Sequence, residues 1–135
     1  MAIREARRGG RRRSQRGSAV VDFVLVMLVL VPLFLGIMQV ALVLHVRNTL
    51  VSAASEGARY GATADRGPAD AEAKTREQIL TALSPRYAQH VVARPASVGG
   101  APGMEVRVEA DVPALGLGAF AVHLSVAGHA VEEAP

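Results

Sequence analysis

The sequence predicts an α+β fold on a membrane stalk: a single N-terminal transmembrane helix continuing into an external helix, a second short helix, and a small three-stranded antiparallel sheet. Three observations predict it. Residues 23–46 carry no formal charge. Residues 68–83 place Ala71, Thr75, Ile79 and Leu83 four apart, the spacing of one helix face. Residues 104–112 alternate strictly between apolar and polar, the period of a strand with one wet side.

The chain begins with a concentration of charge that the whole-chain value of +3 hides. Residues 1–17 hold Arg4, Arg7, Arg8, Arg11, Arg12, Arg13 and Arg16 against Glu5 alone, a net +6 that leaves −3 for the remainder. A basic tail of this kind suits nucleic acid in isolation. Here it abuts an apolar segment and has no interleaved aromatics to stack bases, so it reads as a topology signal that keeps the N-terminus cytoplasmic. No nucleic-acid partner is expected. The implied domains are a basic cytoplasmic leader over 1–17, a transmembrane helix over 18–45 and an extracytoplasmic α+β domain over 46–135.

Within residues 23–44 the only strongly polar side chain is Gln39. At 1.5 Å per residue that run spans about 33 Å, against a hydrocarbon core of about 30 Å. It exceeds the apolar region of a cleaved secretory signal, roughly 7–15 residues. The domain that follows, about 90 residues, is too small to wrap such a helix on all sides. The bilayer is therefore the first expected partner, crossed once. Pro32 removes an N–H from the helix ladder and invites a kink. Gly36, one turn on, permits close approach of a neighbouring helix. Asp22 stands at the edge of the run, where an unpartnered carboxylate costs a few kcal/mol. Two readings of Asp22 stay open on position alone: headgroup-level placement or helix capping, and a paired functional acid.

Beyond the membrane run the helix continues. Thr49, Ala53, Gly57 and Gly61 form a stripe of small side chains, fit either to receive another helix or to pack on the chain's own strands. Glu56 and Arg59, three apart, can pair on the helix surface for about 0.2–0.5 kcal/mol. Residues 62–67 break the helix, Pro68 opens the next, and Ser84-Pro85 ends it. Three strands follow, over 87–94, 104–112 and 120–131, the last with Phe120, Val122, Leu124 and Val126 inward. Residues 98–103 form one turn and 113–118 the connecting loop.

No reactive constellation emerges. Cysteine is absent, which removes disulfides, thiolate metal sites and cysteine nucleophiles. His45, His90, His123 and His129 lack a close metal-ligand spacing. Glu105, Glu109 and Asp111 share a strand face with Arg107 between them, as on a solvated surface. Gly99-Gly100 is a turn, and no serine sits in a nucleophile elbow. The sequence offers no catalytic residue, no metal ligand set and no cofactor.

The junction Gly17-Ser18-Ala19-Val20-Val21-Asp22-Phe23 resembles the processing site of type IV pilin-like proteins: a basic leader ending in glycine, a small residue, an acid five positions after the glycine, and a continuous apolar helix. A second block runs through Arg47-Asn48 and Ala53-Ala54 to Glu56-Gly57-Ala58-Arg59-Tyr60. Together the blocks are similar to the TadE-like family, pseudopilins of the tight-adherence, Flp-type pilus systems. The resemblance implies a non-enzymatic minor subunit with a pilin-like outline, cut between Gly17 and Ser18 by a prepilin-type peptidase. Its other implied partners are pilin-like subunits and the pilus or secretion machinery. Asp22 would align subunits by pairing with an α-amino group; the family position usually holds Glu, one methylene longer. An uncleaved single-pass anchor presenting a binding or sensor module to an envelope complex is the alternative from another functional class.

Overall fold

The computed structural model describes residues 12–116 and 120–132, with side chains from residue 17 onward. The leader expected over 1–17 lies largely outside those residues. Helix α1 spans Arg12–Gly61 and α2 spans Pro68–Ala82. A 3₁₀ turn over Pro85–Ala88 leads into β1 (His90–Val98), β2 (Ala101–Pro113) and β3 (Ala121–Val131). This is the predicted α+β arrangement of long apolar helix, second helix and three-stranded antiparallel sheet.

The chain divides into two compact units, Met1–Ile37 and Met38–Pro135. In the first, α1 remains helical through Pro32. Its most apolar window has a mean hydropathy of 2.8 with none of it buried by the chain, whereas the core helix of a soluble domain would be covered. It is long and apolar enough to cross a membrane.

In the second unit, residues of α1 from Met38 onward pack with the sheet and α2. Val46, Leu50, Ala54, Ala58 and Ala62, spaced four apart, are buried in one cluster with Val106, Val108 and Val112 of β2 and Ile79 of α2. Leu42 and Val43, inside the apolar run, also pack against that cluster. Helix α2 starts where its sequence dictates: Pro68 supplies a fixed φ, and the Gly67 N–H donates to Asp70 Oδ2 at 3.0 Å. Ala71, Thr75 and Ile79 are its buried face, as the spacing predicts. The buried Thr75 hydroxyl donates to the Ala71 carbonyl at 2.8 Å, so no polar group is stranded there.

The sheet has the order β1-β2-β3, both pairings antiparallel. Gly99 and Gly100, with φ of +60° and +88°, make the two-residue turn that closes the first hairpin at Val98↔Ala101. That turn needs only the two glycines, so the segment expected as a wide turn over 98–103 is mostly strand. The first strand starts later than expected: Pro85 opens a 3₁₀ turn that buries Tyr87 and Ala88, and pairing begins at His90. Pro95 is tolerated because β1 is an edge strand. In β3 the inward set also differs. Val126 is buried and Leu124 partly so, whereas Val122 is exposed and Phe120 lies outside the strand. The inner face continues instead through Gly128.

The free edge of β1 is covered by α2. Glu72 Oε1 accepts from the Ala93 N–H at 3.1 Å, and Arg76 donates to the Val91 carbonyl at 3.0 Å while pairing with Glu72 Oε2 at 3.0 Å. An edge strand so occupied cannot recruit a foreign strand at those positions.

Candidate assembly surface

The residues singled out by sequence fall into two groups. Gly17, Ser18, Asp22 and Gly36 lie on the first unit's helix, all exposed. Ser18 and Asp22 are four residues apart and share a face. Asp22 is ten residues inside α1, so in this chain it does not cap the helix start. Among the described residues it has no hydrogen-bond or ion-pair partner. Among the described residues, nothing lies within 4 Å of where a Cβ on Gly36 would sit.

Gly57 and Gly61 are used. A Cβ on Gly57 would collide with the Thr75 side chain and come within 2.8 Å of the Ala71 carbonyl oxygen, and one on Gly61 would collide with Ala71. Their partner is α2, not a strand, and the face toward the sheet lies one residue further along at Ala54 and Ala58. Of the block Glu56-Gly57-Ala58-Arg59-Tyr60, Gly57 admits α2 and Ala58 is fully buried. The Tyr60 ring lies 3.7 Å from the Arg66 guanidinium and 5.8 Å from the Lys74 ammonium. Thr63 adds a hydroxyl hydrogen bond to the Tyr60 carbonyl at 2.9 Å where α1 ends. Glu56 and Arg59 are exposed, and no ion pair joins them, a correction to the expected surface bridge. The entropy of fixing two long side chains offsets the few tenths of a kcal/mol such a pair supplies.

Sequence reasoning missed what the strand register brings together. Glu105 is opposite Arg94 on β1 and His129 on β3. Arg94 donates to Oε1 at 2.8 Å, Arg107 to the same oxygen at 3.4 Å, and His129 Nε2 lies 3.1 Å from Oε2. These neighbours cover the carboxylate, which is therefore not the solvated surface group that alternation suggested. Burial alone would push the Glu105 carboxyl up. The hydrogen bonds from His129 and Arg94, with the charges of Arg94 and Arg107, outweigh it and hold the group below its ordinary value of 4.5. A carboxylate depressed in the folded state stabilises the fold above its unfolded value and loses that contribution as pH falls through the folded value. The domain should thus lose denaturant resistance as pH drops from about 4.5 downward, and Glu105→Gln should flatten that part of the profile. An unchanged profile in Glu105→Gln would show that the cluster carries no linkage.

Among the described residues, no three His, Asp or Glu side chains converge as a metal site. A shallow groove along α1 and α2 is lined by Asn48, Thr49, Ser52, Ala53, Gln78 and Ala82, none of them titratable.

The chain is an α+β protein with an N-terminal helix long and apolar enough to cross a membrane. The model of a family described as TadE-like protein matches residues 17–59, from the junction glycine to Arg59 of the second block. That match associates the chain with the tight-adherence, Flp-type pilus system. No curated protein and no solved structure matches the chain.

Proposed function

We propose that the chain is a minor pilin-like subunit, inserted with its basic leader in the cytoplasm and its α+β unit outside. A prepilin-type peptidase cuts it between Gly17 and Ser18, and it assembles with other pilin-like subunits through the 18–45 helix. The observation that carries this reading is the junction itself: Gly17, Ser18 and Asp22 lie at the head of an exposed apolar helix, inside the TadE-like segment. A cut after Gly17 turns an interior helical residue into a free amine one turn from Asp22. An ammonium and a carboxylate at the edge of hydrocarbon each cost several kcal/mol alone, and pairing them, within one subunit or between neighbours, offsets that cost and sets axial register. Glycine at the cut lets the backbone extend into a peptidase cleft without a side-chain clash. Arginines flanking the apolar run favour the cytoplasmic side for the leader.

Asp22→Ala should leave membrane insertion intact, because it makes the helix more apolar, while assembly into pilus-associated complexes is lost. Asp22→Glu should retain assembly. Co-purification of the variants with pilin-like subunits from a host carrying the pilus machinery measures this. Undiminished assembly of Asp22→Ala would refute the alignment role.

A further inference from the structure

The amide of Gln39, the one strongly polar side chain in the apolar run, is engaged at both ends by the turn between β2 and β3. Its Oε1 accepts from the Leu115 N–H at 2.7 Å, and its Nε2 donates to the Pro113 carbonyl at 3.3 Å. The turn is closed on itself by the Ala114 N–H donating to the Phe120 carbonyl at 2.8 Å. These bonds fix the height of Pro113 and Leu115 along α1. Both sit beside Gln39, about 7.5 Å nearer the membrane interior than Leu44 at 1.5 Å per residue.

The chemistry of the turn matches that height. Residues 112–122 contain no charged side chain. The described large apolar side chains flanking residues 117–119 face outward: Leu115 is 39% exposed, Phe120 69% and Val122, in β3, 39%. Immediately behind them Asp111 and His123 pair across the strands at 2.8 Å, both exposed, so ionisable groups begin where the apolar tip stops. In water an outward phenylalanine and its neighbours would forgo burial, at roughly 25 cal/mol per Å². Non-helical backbone at membrane depth also requires internal partners. Pro113 has no N–H to satisfy, and Gln39 supplies a donor and an acceptor to the turn.

We propose that Leu115 and Phe120, on either side of residues 117–119, together with Val122 at the start of β3, form a second membrane contact, seated among the lipids of the interfacial zone on the side of the bilayer that bears the α+β unit. The partner is the lipid boundary between headgroups and acyl chains, the environment that takes outward Phe and Leu on a surface whose polar side stays wet. These side chains then clamp the α+β unit to the bilayer, and Gln39 holds Pro113 and Leu115 in place for it.

The inference rests on the 23–44 run spanning the membrane, and the test separates the two. The chain has no tryptophan, so each substitution introduces a single fluorophore. Full-length Phe120→Trp and Leu115→Trp, reconstituted in phosphatidylcholine–phosphatidylglycerol vesicles at low protein density, are compared with Val31→Trp in the span and with Leu80→Trp on α2. Expected are blue-shifted emission from positions 120 and 115 relative to 80, and quenching by lipids brominated near the headgroup. Val31→Trp should respond most to bromines deep in the chains. Red-shifted, unquenched emission at both turn positions with Val31→Trp quenched would overturn the clamp and keep the span. Blue-shifted emission indifferent to brominated lipid would place protein on the patch, a second copy for instance, and would also overturn it. An unquenched Val31→Trp would remove the span and the clamp together.

Discussion

Gly128→Val should strongly destabilise the sheet-bearing unit. Gly128 lies on the inner face of β3 opposite Val106, where the strand meets the backbone of α1. A Cβ there would collide with the Ala54 carbonyl carbon and the Ser55 nitrogen and lie 2.6 Å from the Ala54 carbonyl oxygen. Those atoms belong to the helix backbone and cannot rotate aside as a side-chain tip would. Either β3 leaves the helix or α1 leaves the core, and both expose Leu50, Val106 and Val108, which are fully buried. Overpacking of this kind costs about 1–3 kcal/mol, more where backbone must move, against a total stability of roughly 5–15 kcal/mol. Loss of amide-exchange protection at Val106 and Val108 in the detergent-solubilised chain measures it. Protection equal to wild type would mean that α1 and β3 are not in contact at this glycine.

The second large effect is a contrast between two glycines of one helix. Gly57→Leu should destabilise the unit by about 2–3 kcal/mol, because its Cβ collides with Thr75 and a branched side chain has nowhere to go between α1 and α2. Thr75 is itself fully buried and committed to the Ala71 carbonyl, so it cannot yield without stranding its hydroxyl. Gly36→Leu should leave the same unfolding transition unchanged, since none of the described residues comes within 4 Å of a Cβ at that position. If Gly36 receives a neighbouring subunit, the Gly36 variant instead loses assembly while keeping its fold. Thermal unfolding by circular dichroism reads the first half of the contrast, and co-purification with pilin-like subunits reads the second. A destabilised Gly36→Leu, or an unaffected Gly57→Leu, would contradict the division of roles.

Much of this was legible in the amino-acid sequence, for reasons that differ by element. The apolar run needs only composition and length to be read, and α2 only the four-residue recurrence of Ala71, Thr75 and Ile79. The alternation over 104–112 was enough to place Val106 and Val108 inward. What escaped depends on register. Alternation says that Glu105 faces away from the core, but not that Arg94 and His129 lie opposite it and cover it. Likewise, a helix wheel gives a small-residue stripe at Gly57 and Gly61 without saying that α2 fills it while the sheet takes the adjacent stripe at Ala54 and Ala58. Gln39 did carry a signal, as the lone amide in an apolar run. Its partners are 74 and 76 residues away in the chain, and only the fold brings them there. Phe120 misled for the same reason: an aromatic flanking a strand is ordinarily inward, and the turn beside α1 points it out.

In the proposed function the Arg-rich segment is a removable leader, and the helix behind it becomes an assembly surface with Ser18 at its head. Intact-mass and N-terminal peptide spectrometry of the protein extracted from membranes of cells with an active prepilin peptidase tests this most directly. Expected are a mature chain beginning at Ser18, an unchanged product from Gly17→Ala, and accumulation of uncut precursor from Gly17→Leu. A chain that keeps Met1 or Ala2 in those cells would contradict it and leave an uncleaved membrane anchor in its place.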